Sequence, residues 1–291
     1  MNTTAAFPGN QGLAAGSTAR AGAITLTDFT LIADLVRTRS GIMLGVDKAY
    51  LVESRLEQIV RTRRYAGLAE IAAQLRMQPN GSLADDIIEA ITTNETSFFR
   101  DTKPFEHLRQ HLLDLHASRP PTQPLRIWSA ASSSGQESYS IAITASEAGL
   151  GTRSVQILGT DISAEQINRA RLGLYSEFEV RRGLSPDSLN RYFGRTEMGW
   201  RINDPLRRLV EFRRWNLMDD LRPLGTFDLV FCRNVLIYFD MDIKRKVLDA
   251  IWDRLAPGGL LYLGGSETTF GVSDRFLPCG GSHQVYCAVR P

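Results

Sequence analysis

The stretch Arg126-Ile127-Trp128-Ser129-Ala130-Ala131-Ser132-Ser133-Ser134-Gly135-Gln136-Glu137-Ser138-Tyr139-Ser140 decides the fold class. Residues 126–130 read as a buried strand, 131–135 as a tight loop of small residues, and 137–147 as a helix. Strand, small-residue loop, helix is how α/β folds bring a nucleotide-like ligand up to the backbone at a helix N-terminus. The loop lacks the second and third glycines of a dinucleotide fingerprint and the Lys of a P-loop. It also sets an acid, Glu137, where a pyrophosphate would have to sit. Charge therefore disfavours a phosphate and favours a ligand carrying an ammonium or sulfonium. S-adenosylmethionine is the candidate that fits.

Composition narrows the classes. The 291 residues are 43% hydrophobic and 23% charged, as expected of a soluble globular protein with one large or two ordinary domains. A formal net charge of +2 gives no global attraction to nucleic acid or anionic membrane, so neither is expected as a partner. No apolar run approaches the ~20 residues needed to span a bilayer, and residues 1–23 have no export signal, so a cytoplasmic protein is expected. Cys232, Cys279 and Cys287 lack metal-ligand spacing and cannot all pair, which points to a reducing cytosol and no metal site.

On the N-terminal side of the quoted stretch the pattern is helical. Residues 1–23 read as a disordered tail and 24–100 as a helical domain. Thr27 is the expected N-cap of a helix with Phe29, Ile32, Leu35 and Val36 on one face, ended by Gly41. Further helices are expected at 48–64, 68–76 and 83–92, and residues 101–123 read as a linker helix followed by a Pro-rich break. Beyond 124 the pattern is α/β. Apolar runs at 125–129, 155–160, 229–232 and 260–264 suit a buried parallel sheet, with helices at 137–149, 163–172 and 241–255. Pro257-Gly258-Gly259 reads as a tight turn, residues 283–289 as a last strand, and 174–215 as a small antiparallel insertion.

Several constellations could carry chemistry. Asp161 ends the second strand, where an acid accepts hydrogen bonds from ribose hydroxyls; capping the helix that begins at Ser163 is an equally good reading of it alone. Asn216 could read an adenine edge, although a turn-forming Asn explains its spacing better. Residues 227–239 are a hydrophobic strand running into Arg233, Asn234 and Tyr238, well placed either for chemistry or as a solvated strand end. Residues 91–100 are polar, then aromatic, then basic, at the domain junction; by composition this is also an ordinary loop. His107 and His111 lack an acid partner and read as solvated surface. The basic run Lys48, Arg55, Arg61, Arg63 and Arg64 reads as an exposed helix, or as a docking face for an acidic helical partner.

Together these motifs resemble the chemotaxis receptor methyltransferases, the CheR family. The matching segments are Thr93–Arg100, Arg126–Ala131, Gly135–Ser140, Gly159–Ser163, Phe231–Phe239 and Leu255–Gly259, in order along nearly the whole ordered chain. The resemblance implies a class I S-adenosylmethionine-dependent methyltransferase: a Rossmann-like, seven-stranded, mostly parallel sheet with an all-helical N-terminal domain and a small β-subdomain. It implies that Asn94, Thr96, Arg100, Glu137, Asp161, Asn216, Leu217, Cys232, Arg233 and Asn234 surround S-adenosylmethionine, whose product is S-adenosylhomocysteine. Arg100 and Tyr238 are the residues it implicates in catalysis. The implied substrate is the cytoplasmic helical domain of methyl-accepting chemoreceptors, methylated on glutamate by a monomer. Arg55, Arg61, Arg63 and Arg64 then become a candidate docking face. The loop around Gly194–Gly199 looks shorter than in members that tether a receptor C-terminal pentapeptide, which puts such tethering in doubt.

Overall fold

The computed structural model of the chain describes residues 24–118, 120, 123–279, 281 and 284–290. The expected tail over 1–23, part of the Pro-rich break and the start of the expected last strand lie outside them.

Among the described residues, helices α1 (Leu26–Ser40), α2 (Ala49–Arg63), α3 (Leu68–Met77) and α4 (Ser82–Ile91) form one bundle. Apolar residues recur at helical spacing (Phe29, Ile32 and Val36; Val52, Leu56 and Ile59; Leu83, Ile87, Ile88 and Ile91) and meet in a single buried cluster. Helix α1 begins two residues earlier than its sequence suggests. Thr25, not Thr27, is the N-cap, its hydroxyl accepting from the Asp28 N–H, while the preceding Ile24 N–H is held by Glu53. Gly41 closes α1 in the left-handed region, as the sequence predicts.

Helix α5 (Lys103–Ala117) leads into the α/β part. Next come β1 (Leu125–Ala130), α6 (Gln136–Glu147), β2 (Val155–Asp161) and α7 (Ala164–Leu172). The following segment holds β3 (Leu174–Tyr175), α8 (Glu177–Arg181), α9 (Pro186–Tyr192), β4 (Phe193–Thr196), β5 (Gly199–Ile202) and α10 (Asp204–Arg207). The chain ends with β6 (Val210–Arg214), β7 (Phe227–Cys232), α11 (Met241–Trp252), β8 (Leu255–Leu263), β9 (Phe276–Pro278) and β10 (Val285–Ala288). Seven strands form one sheet in the order β6-β2-β1-β7-β8-β10-β9. Its first five members are parallel, whereas β10 runs antiparallel to both β8 and β9. Side chains alternate across the sheet: Ile127 packs in the core with α5 and α6, Trp128 in the core with α11.

Four expectations need correction. Strands β3, β5 and β4 do form a separate antiparallel sheet, but Val210–Arg214 joins the main sheet, parallel to β2. An edge strand of a parallel sheet is wetted on one side, so it alternates in hydrophobicity just as an antiparallel strand does. Pro257-Gly258-Gly259 lies within β8 at a register shift against β7 rather than before the strand. Cys279 and Cys287 are disulfide-bonded, with Cα atoms 5.7 Å apart, because β9 and β10 are antiparallel neighbours; of the three cysteines, Cys232 is free. His107 and His111 are half-buried, and the His107 Nδ1 lies 2.9 Å from the Tyr262 hydroxyl; burial pushes both imidazoles down in pKa.

Gly159 fixes how β6 seats on β2. A Cβ there would lie 2.6 Å from the Phe212 ring and 2.8 Å from the Ser138 hydroxyl. Gly159→Ala should therefore destabilise the protein by about 1–3 kcal/mol through overpacking, read as a lower urea midpoint with the slope unchanged.

Candidate active site

The strand order reverses at β1, with β2 on one side and β7 on the other. Open α/β sheets hold ligands outside the carboxyl ends of the strands at such a switch point. A cavity of about 870 Å³, mouth included, lies there, and the helical domain supplies its far wall through Ser40, Ile42 and residues 92–97.

The loop after β1 is bent by Ala131 and Ser133, both at positive φ, and by Gly135 at φ 94, where a Cβ would sit 2.9 Å from the Ala170 methyl. Asp161 ties this loop to the next strand end. Its Oδ2 accepts from the Ser133 N–H at 2.8 Å and its Oδ1 from the Ser163 N–H at 2.9 Å. Ser163 itself caps α7, so Asp161 is a brace rather than the N-cap. Each carboxylate oxygen keeps a lone pair for a further donor such as a ribose hydroxyl. Burial raises the Asp161 pKa against the pull of these backbone amides.

Glu137 stands in the first turn of α6 with its side chain 12% exposed. Its Oε1 accepts from the Ser129 hydroxyl at 2.9 Å, and its Oε2 from Arg233 Nη1 at 3.0 Å. Burial pushes the Glu137 pKa up, with Arg233 opposing. The Arg233 side chain is 1% exposed, and its Nη2 donates to the Arg100 carbonyl at 2.7 Å and to Asp101 at 2.9 Å. Arg100 sits between Phe99 and Asp101, both at positive φ, in a conformation the surrounding bonds must hold. Its Nη1 donates to the Glu95 carbonyl, and its side chain lines the cavity.

Of the residues named from the sequence, Asn94, Thr96, Arg100, Glu137, Asp161, Asn216, Leu217, Arg233, Asn234 and Tyr238 all line this cavity. Asn216 also makes a turn, accepting from the Met218 N–H, and its Nδ2 donates to the Arg39 carbonyl of α1 at 2.6 Å. Cys232 does not line the cavity. Its side chain is buried with Trp128 and Val230 in the core under α11, because strand alternation turns it away where Arg233 turns toward the site.

The docking arginines also separate. Arg55 caps the end of α4, its Nη1 donating to the carbonyls of Ile91 at 2.5 Å and Thr92 at 3.0 Å. Arg63 is bound to Asp86 and Ser82. Arg61 pairs with Glu57 on the exposed face, and Arg64 is exposed at the helix end. Sequence reasoning missed Ser129, Asp101, Trp215 and Glu267. The first three carry no pattern of their own, and the partners of Glu267 are main-chain amides, which leave no mark in a sequence.

Two buried donors of cavity-lining residues, Trp215 Nε1 and Arg233 Nε, have no hydrogen-bond partner among the described residues. Two carboxylates, a guanidinium and these free donors suit a ligand with a cationic centre, hydroxyls, a carboxylate and ring acceptors. The residues present therefore fit S-adenosylmethionine. Residues 94–285 match the CheR methyltransferase SAM-binding domain, and residues 27–92 the CheR methyltransferase all-alpha domain. The chain belongs to the CheR methyltransferase family. It is 41% identical over 255 residues to the chemotaxis protein methyltransferase Cher2 of Pseudomonas putida, covering 86% of this chain and 93% of that one. Chemotaxis protein methyltransferase 1 of Pseudomonas aeruginosa is 43% identical, with the same coverage. The chemotaxis protein methyltransferase of Vibrio parahaemolyticus is 43% identical over 262 residues, 87% of this chain and 94% of that one. This CheR methyltransferase is an S-adenosylmethionine-dependent enzyme of chemotaxis adaptation.

A carboxylate whose pKa is raised takes up its proton at a higher pH than an ordinary Glu. Protonation removes the charge that favours a cationic ligand. Affinity for S-adenosylhomocysteine, whose ammonium remains, should fall as pH drops from 7, beginning above the usual carboxylate range. Glu137→Gln should bind more weakly at pH 7 and lose that part of the pH dependence; calorimetric titration across pH measures both.

Proposed function

We propose that this CheR methyltransferase methylates glutamate side chains on the cytoplasmic helical domain of methyl-accepting chemoreceptors. The enzyme acts in the cytoplasm as a monomer and yields glutamyl methyl esters and S-adenosylhomocysteine. The observation that carries the reading is that Arg100 and Tyr238 line one cavity together with the carboxylates Glu137 and Asp161.

A glutamate side chain in water titrates at about pH 4.3, so the acceptor is already an anion at neutral pH. No general base is needed to create the nucleophile. S-adenosylmethionine supplies an electrophilic methyl on sulfonium; the carboxylate oxygen forms the new C–O bond as the C–S bond breaks, and no proton moves. What remains for the protein is alignment and exclusion of water from a step in which opposite charges cancel. Arg100, anchored through its Nη1 on Glu95, offers the rest of its fork to a carboxylate, of the cofactor or of the substrate. Tyr238, whose carbonyl accepts the Met43 N–H at 2.8 Å, orients the acceptor. The face offered to an acidic receptor helix reduces to Arg61 and Arg64, since Arg55 and Arg63 serve the fold. Pentapeptide tethering is no part of this reading, because β4 and β5 join through the short turn Glu197-Met198.

Receptor-bearing membranes incubated with methyl-labelled S-adenosylmethionine should acquire base-labile label. Arg100→Ala and Tyr238→Phe should each lower the rate about 100-fold or more while keeping the wild-type melting temperature. Wild-type turnover in both variants would remove these two residues from the reaction.

A further inference from the structure

Glu267 follows β8 in the run Gly264-Gly265-Ser266-Glu267 and is only 7% exposed. It does not line the cavity. Both of its oxygens are consumed by backbone amides. Oε1 accepts from Val235 at 2.9 Å and Leu236 at 2.8 Å; Oε2 accepts from Asn234 and Gly264, each at 2.7 Å. An ionised carboxylate has about four acceptor positions, so these N–H groups fill it. Bonds to the charged form are the strong kind.

Three of the four donors belong to consecutive residues. They are the amides freed where β7 ends, and they lead into the 3₁₀ turn Leu236–Tyr238. Asn234 is held at φ 59, off the usual backbone regions. Gly264 allows the close approach: a Cβ there would stand 2.6 Å from Asn234 Nδ2 and 2.7 Å from Glu267 Oε2. The turn is thus gripped at its entry by Glu267 and at its exit by the Met43 N–H on the Tyr238 carbonyl.

We propose that Glu267 is a positioning residue for methyl transfer, fixing the Asn234–Tyr238 turn so that Tyr238 meets the acceptor. The inference rests on the reading of Tyr238 given above and adds a residue that touches neither cofactor nor acceptor. Glu267→Gln keeps the shape but swaps one oxygen for an NH₂ that cannot accept, leaving two amides facing a donor. Gly264→Ala disturbs the same pair from the other side.

The test is receptor methylation by purified full-length enzyme, with rates normalised to the chains that bind S-adenosylhomocysteine in calorimetry. Both variants should lose about tenfold or more in kcat with little change in the KM for receptor membranes. Glu267→Gln combined with Tyr238→Phe should be no slower than Tyr238→Phe alone, because residues acting as one unit are not additive. A merely structural role would lower the melting temperature or the binding-competent fraction without this non-additivity. A full kcat in Glu267→Gln and Gly264→Ala beside a crippled Tyr238→Phe, or multiplicative losses in the double variant, overturns the positioning role and leaves Tyr238 standing. Full turnover in Tyr238→Phe removes the reading on which the proposal rests.

Discussion

A guanidinium almost sealed from water, that of Arg233, organises the centre of this enzyme. A buried charge is tolerable only when paired and hydrogen-bonded, and Arg233 meets that demand with Glu137, Asp101 and the Arg100 carbonyl. The partners come from two different parts of the site. Glu137 stands in the first turn of α6 after the loop of small residues, Arg100 and Asp101 lie in the segment that leads into α5, and Arg233 directly follows β7. The face of the Phe105 ring lies against the same guanidinium, with its carbon 5.6 Å from the ring centre. Moving either partner segment away would cost the buried guanidinium some of its hydrogen bonds, so these elements hold register with one another.

The helical domain is fastened around this centre rather than merely linked to it. Arg37 of α1 pairs with Asp240 at the N-cap of α11, the Arg39 carbonyl takes Asn216, and Ile42 bridges to Phe239. On the opposite side Glu89 of α4 caps α7, accepting from the Ala164 and Glu165 amides and from the Ser163 hydroxyl. These contacts flank Asp161 and Tyr238, so the cavity has walls from both domains. The proposed methylation of a glutamate, in which opposite charges cancel, would gain from such enclosure.

Much of this was legible in the sequence, for identifiable reasons. Parallel strands buried on both faces read as short apolar runs, and the loop after β1 is recognised by the small residues its positive-φ bends require. Ten of the eleven cofactor and catalytic residues that the family resemblance implied line the cavity, and they cluster at strand ends and at the domain junction. What stayed hidden depends on pairing or on backbone groups. Hydrophobic alternation does not reveal strand direction, hence β6. Charge spacing does not reveal whether a long arginine faces solvent or a helix end, hence Arg55 and Arg63. The orientation of Cys232 follows from the pleat, one residue before the side chain that matters. Glu267 escaped because its partners are main-chain amides that any sequence possesses.

Arg233→Lys probes the organising interaction most directly, because it keeps the charge and removes the fork that joins Glu137 to Asp101 and the Arg100 carbonyl. S-adenosylhomocysteine affinity and the rate of receptor methylation should be measured together on the folded variant. The account predicts that both fall, since the cavity-lining carboxylate of Glu137 and the segment bearing Arg100 lose their common support. Wild-type affinity together with wild-type rate would contradict it.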